Sequence, residues 1–216
     1  MKVAKAAKIA KIMKKTINDD LNYGEIKYPK RLALDILALR NILKSANKKI
    51  IVAIDGRCGA GKTTMATNLK ELLNCSVIAT DDFFLPPDLR TESRFNEPGG
   101  NIHYERFENE VINELKSNES FKYGVFDCES MMLSHTEFVS PKDITIIEGA
   151  YSLHPRFIDI YDLKIFCDIA PSLQKERIIN RNGFEQYRDF ESKWIPMEEK
   201  YFKMLDIESK CDYVIK

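Results

Sequence analysis

The apolar run IIVAID at 50–55 leads directly into Gly56, Arg57, Cys58, Gly59, Ala60, Gly61, Lys62, Thr63 and Thr64, and a helical pattern starts at once. This junction satisfies GxxxxGK[ST] and constrains the fold more than any other stretch. Glycines at 56, 59 and 61 allow backbone conformations closed to other residues, so that N–H groups crowd around an anion at the positive end of the following helix. Lys62 then reaches the β and γ phosphates of a nucleotide, and the Thr63 hydroxyl reaches a magnesium ion. The bare spacing arises by chance in roughly one chain of this length in a hundred. A strand before it and a helix after it remove most of those accidents. The expected nucleotide-binding set is Gly56, Cys58, Gly59, Ala60, Gly61, Lys62, Thr63 and Thr64.

Short apolar runs bounded by turn residues recur at 50–55, 76–80, 144–148, 163–169 and 213–215, and helical stretches alternate with them at 62–73, 104–116, 172–181 and 196–206. Alternation of this kind predicts an α/β fold: a three-layer, mostly parallel sheet of about five strands with right-handed crossovers. The segment FKYGVFDC at 121–128 is an extra strand or a hairpin. Ahead of the sheet, Val3, Ala6, Ala10, Met13 and Ile17 share one helical stripe among six lysines, which predicts a basic amphipathic helix over residues 1–17. Leu32, Ile36, Leu39 and Leu43 predict a second helix ending near Asn47. The expected organisation is therefore a helical extension, 1–47, and a catalytic domain, 48–216.

With 33 basic and 33 acidic side chains the chain has no net field to recruit nucleic acid or an anionic membrane. Any anion must be held locally. Cys58, Cys75, Cys128, Cys167 and Cys211 are odd in number and form no CxxC pair, which argues against a disulfide framework and a zinc site. No apolar run is long enough to span a bilayer and no signal core opens the chain, so a cytoplasmic protein is expected. Cys58 lies inside the phosphate loop, where sensitivity to thiol oxidants is the expected side effect.

Asp81 and Asp82 follow the strand SVIAT, at the sheet edge where open parallel sheets bind ligands. A carboxylate there takes a proton from an acceptor hydroxyl. At this point the chain, over residues 50–216, resembles the uridine kinase and phosphoribulokinase family of P-loop kinases, through GRCGAGKTT, TDDFFLPP, EPGGNIHYERFENEV, ITIIEGAYSLH and the helix near Gln174. The resemblance implies Asp81 as base and Phe84 as pocket wall. It implies Glu148, at the end of ITII, as the strand-end acid that joins Thr63 in holding magnesium, through water, or that touches the acceptor, and Arg177 and Arg181 as catalytic lid residues, with Arg188 in the same region. It also implies Arg94, His103, Tyr104 and Asp127 as acceptor contacts, although His103 stands where many uridine kinases have aspartate. No Walker B aspartate ends that strand.

The expected activity is ATP- and Mg2+-dependent phosphoryl transfer to a hydroxyl of a small molecule, a nucleoside or related metabolite. The alternatives are a kinase of the same fold acting on pantothenate or a sugar phosphate, and a slow-turnover ATP-binding regulatory module docked through its basic amino-terminal helix. Homo-oligomer formation is compatible with either.

Overall fold

The computed structural model describes residues 15–17, 27–44, 49–117, 119–140 and 142–216. The strands are β1 (Lys15–Ile17), β2 (Ile50–Gly56), β3 (Ser76–Ala79), β4 (Phe121–Asp127), β5 (Met132–Val139), β6 (Ile144–Glu148), β7 (Leu163–Cys167) and β8 (Tyr213–Ile215). Six of them form one parallel sheet in the order β1-β8-β7-β2-β6-β3, and β4 pairs with β5 as an antiparallel hairpin. The expected mostly parallel α/β sheet is the fold observed, with one added edge strand.

Side-chain alternation along β2 builds both layers. Val52 and Ile54 face a cluster that includes Leu32, Ala33 and Ile36 of helix α1 (Lys27–Lys44) and Ala66 and Leu69 of helix α2 (Lys62–Leu73). Ala53 faces the other way, onto a cluster rich in aromatic residues: Phe83, Phe107, Phe157, Phe166, Tyr201 and Phe202. Every strand at the sheet's centre is thus buried on both faces, which is why these segments read as continuous apolar runs rather than alternating ones.

Two expectations are revised. Of the basic amphipathic helix predicted over 1–17, residues 1–14 lie outside the described residues, and Lys15–Ile17 is strand β1, paired in parallel with Tyr213–Ile215. The free edge of β8 offers backbone N–H and C=O groups, and the β-branched pair Thr16-Ile17 suits a ladder better than a helix. The helical segments also carry unpredicted π turns, Glu108–Ile112 and Phe190–Trp194, each set within a longer helical run. Among the described residues no helix is long and apolar enough to cross a membrane.

Because Ile36 is fully buried in the cluster that covers β2, Ile36→Ala should lower unfolding free energy by about 2–4 kcal/mol. Urea denaturation checks this; a loss near zero would mean that α1 is not integral to the core.

Candidate active site

The parallel register brings four strand ends to one edge. Ile54 of β2 lies opposite Glu148 of β6, Glu148 lies opposite Ala79 of β3, and Gly56 lies opposite Cys167 of β7. Gly56 is obligatory: it has φ +134°, and a Cβ there would stand 2.0 Å from the Cys167 carbonyl oxygen. Immediately before it, Asp55 is fully buried and accepts from Gly56 N at 2.7 Å, Tyr151 N at 3.2 Å, Leu153 N at 2.9 Å and the Tyr201 hydroxyl at 2.8 Å. This carboxylate ties the loop to the β6 exit and to the helix Ile195–Met204. Sequence reading passed over Asp55, whose only signal was a charged residue ending an otherwise apolar strand.

Lys62 Nζ donates back to the carbonyls of Gly56 at 2.7 Å and Arg57 at 3.1 Å. Burial works against its charge, but Glu198, Asp81 and Asp55 outweigh burial and hold the ammonium pKa above its ordinary value. Asp81 is exposed at the end of this sheet edge. Withdrawal from water by the surrounding protein raises its carboxyl pKa, and Lys62 and then Arg181 pull it back down. Gly149 makes the approach of Asp81 to β6 possible, since a Cβ on Gly149 would stand 3.0 Å from Asp81 Oδ1 and 2.2 Å from Thr80 Oγ1. Thr80 in turn bridges the two strand exits, its hydroxyl 2.9 Å from the Ala150 carbonyl and 3.2 Å from that of Glu148.

Glu148 is 5% exposed, and burial followed by the charge of Asp81 pushes its pKa up to about 7, with the Thr63 hydroxyl and Lys62 opposing. Its Oε2 is buried and has no hydrogen-bond partner among the described residues. An unpartnered carboxylate oxygen beside a threonine hydroxyl suits a magnesium ion that takes most of its ligands from phosphate and water.

The helix Pro171–Asn182, after β7, closes over the loop's outer side. Gln174 donates to the Cys58 carbonyl at 3.0 Å, and Arg177 donates to the Gly59 carbonyl at 3.1 Å. Arg181 is exposed, donates to Asn182 Oδ1 at 2.7 Å, and stands near enough to Asp81 to favour its ionised form. Arg188 points elsewhere and pairs with Glu185 at 3.4 Å. A cavity of about 630 Å³ opens beside the loop, lined in part by Arg57, Asp168, Ile169, Pro171, Gln174 and Lys216.

Beyond β3 the neighbouring acids separate. Asp82 accepts from the Tyr123 hydroxyl at 3.0 Å, and its carbonyl takes a hydrogen bond from Arg106, which also donates to the Gly124 carbonyl at 2.6 Å. Arg106 and Tyr123 thereby fasten the β4-β5 hairpin to the Asp-Asp turn, and Asp81 is left to face the cleft. Phe84 is half-buried and pairs through its backbone with Ile102.

Arg94 is drawn inward. It grips Glu105 through two bonds of 2.9 Å, donates to the carbonyls of Gly100 and Ile102, and stacks over Tyr104 at 3.5 Å. Tyr104 is itself buried and donates to Glu97. His103 caps the helix that begins at Tyr104, accepting from Arg106 N. Asp127 accepts from the N–H groups of Glu129 and Ser130, both at 3.0 Å, at the tip of the hairpin. Of the residues expected at the site, Lys62, Thr63, Asp81, Glu148, Arg177 and Arg181 converge around the loop, and these four are engaged within their own segments.

The thiol of Cys58 does not fit the expectation of oxidant sensitivity. Burial and then the neighbouring Glu198 push its pKa up to about 12, so the reactive thiolate is scarce at neutral pH. Iodoacetamide labelling at pH 7.5, read by mass spectrometry, should leave Cys58 unmodified in the folded protein and modify it after denaturation. Rapid labelling of the folded protein would contradict this.

The model of the phosphoribulokinase / uridine kinase family matches residues 51–203. A uridine kinase of Ligilactobacillus salivarius (strain UCC118) is 26% identical over 160 residues, covering 68% of this chain and 72% of the relative. One from Chlamydia pneumoniae is 31% identical over 145 residues, covering 61% and 62%. A solved structure described as a possible uridine kinase from Bacillus stearothermophilus superposes with a TM-score of 0.59 at 21% identity, covering 86% of this chain and 98% of that one, a likeness of fold. A phosphate loop, its lysine and a strand-end acid gathered on one parallel sheet edge accord with these matches, and the chain belongs to the phosphoribulokinase and uridine kinase family of P-loop kinases.

Proposed function

We propose that this kinase transfers the γ-phosphate of ATP to a hydroxyl of a small molecule, in the manner of the uridine kinases, with a nucleoside or a related metabolite as acceptor. The observation that carries the reading is the meeting of Asp81 with Lys62, Arg181 and the Glu148-Gly149 turn on one sheet edge. The backbone N–H groups of the loop and the Lys62 ammonium orient the donor phosphates. The 630 Å³ cavity beside Arg57 has room for the nucleoside part of the donor. Thr63 and Glu148 would hold magnesium, which when bound neutralises phosphate charge.

Asp81 accepts the proton of the acceptor hydroxyl as its oxygen attacks phosphorus. The raised pKa of this carboxyl makes it a stronger base than an ordinary aspartate, so activity rises with pH through a limb above the usual carboxylate range. Arg181, and Arg177 through its hold on Gly59, bring positive charge to the moving phosphoryl group. Charge is compensated throughout by fixed groups, and no covalent enzyme intermediate is required.

A second reading keeps the chemistry and changes the acceptor to pantothenate, a sugar phosphate or another alcohol. It is favoured by Arg94 and Asp127, whose polar atoms serve their own loop and turn.

ADP release in the presence of Mg2+ and ATP, measured over a panel of nucleosides, pantothenate, nicotinamide riboside and sugars, should rise with one compound class. Asp81→Asn should then lower kcat by about 10²–10⁴-fold and leave ATP affinity within a few-fold. Lys62→Ala should weaken both. Turnover that no compound stimulates and that Asp81→Asn leaves unchanged would sink the reading.

A further inference from the structure

The helix Ile195–Met204 carries a carboxylate that the chemistry above does not use. Glu198 is 6% exposed, and its Oε2 accepts the N–H of Cys58, inside the phosphate loop, at 2.9 Å. Burial raises its own pKa, and Lys62 and then the Cys58 N–H oppose that rise. Of the acids around Lys62, it is the one that most favours the ammonium charge. The next residue, Glu199, grips Arg57 through bonds of 2.6 and 3.1 Å, and Tyr201 donates to Asp55 at 2.8 Å. One helix therefore holds the loop at Asp55, Arg57 and Cys58.

The Asp55 and Glu199 contacts are each balanced. Asp55 receives hydrogen bonds from all sides, and Glu199 meets the guanidinium of Arg57. Glu198 accepts a single backbone N–H, and among the acids around Lys62 it bears most on that ammonium, the cation that a nucleotide's phosphates also need. A carboxylate oxygen and a phosphate oxygen ask the same things of a backbone N–H and an ammonium group. In this structure Lys62 folds back onto the loop's own carbonyls. A polyphosphate entering the loop meets this buried negative charge, 2.9 Å from a loop N–H.

Resting on the reading of this loop as a nucleotide site, we propose that Glu198 is the loop's internal counter-anion. It is a positioning residue that holds the Cys58 amide in place, and its charge weakens the hold on bound nucleotide, easing the release of ADP. Removing the charge while keeping the acceptor atom should therefore tighten binding, the reverse of what damage to the loop would do.

The test uses the full chain and calorimetric titration with ADP and magnesium. Glu198→Gln, which keeps an oxygen for Cys58 N–H, should lower the Kd for ADP about five- to tenfold, as expected for a unit charge removed from a partly desolvated site. In turnover it should lower KM for ATP and kcat together, the signature of slower release. Glu198→Asp keeps the charge, shortens the reach, and should leave the Kd for ADP within about twofold. Ligand-free melting curves of both variants check that the fold survives. If Glu198→Gln binds ADP as the wild type does or more weakly, or if both variants tighten alike, the counter-anion role is wrong while the site stands. If the wild-type chain binds no nucleotide, the site reading fails and this inference falls with it.

Discussion

Asp55 is the point at which the site is tied together. A fully buried carboxylate is costly unless its oxygens are satisfied, and here the backbone of three residues and one tyrosine hydroxyl meet that demand. The donors come from the phosphate loop, the segment after β6 and the helix Ile195–Met204. None of these can shift without uncovering the charge, so the loop, the Glu148-Gly149 turn and the closing helix behave as one body. Desolvation raises the pKa of Asp55, and the donors and Lys62 oppose it.

Around that anchor, neighbouring acids and arginines are sorted by their partners. Asp82 is spent on Tyr123 and the hairpin, and Asp81, one residue earlier, faces the cleft. Arg94 and Arg106 are consumed by carbonyls and glutamates that shape the 90–107 loop and the hairpin, while Arg177 and Arg181 stay with the phosphate loop and Asp81. Residue type alone does not separate these roles, because a guanidinium serves equally as a brace and as a phosphate ligand. The sorting follows from which acceptors lie within reach once the chain has folded.

The central strands and the main helices were legible because burial on both faces writes itself as unbroken apolar runs, and because Gly56–Thr64 joins two of those elements. The helix Lys62–Leu73 and the strand Ile144–Glu148 have the predicted bounds. The edge was not legible. Lys15–Ile17 carries a helical stripe, and it becomes a strand only because β8 has an unpaired side to offer. Between β3 and β5, Arg94, His103, Tyr104 and Asp127 look like ligands in sequence since polar residues in a loop are also what a ligand site contains. In the structure they cap, stack and close turns.

The sequence by itself determined the parallel α/β sheet, the phosphate loop and the strand-end positions of Asp81 and Glu148, because all three depend on local spacing and on hydrophobic period. Tertiary structure alone decided what surrounds them. Gly149 is needed because Asp81 and Thr80 occupy the space of its missing Cβ. Glu198 reaches the loop from 140 residues away, and Tyr201 reaches Asp55 from 146. Contacts between segments so distant leave no periodic trace in the chain, since the partners are chosen by packing geometry and not by neighbouring sequence.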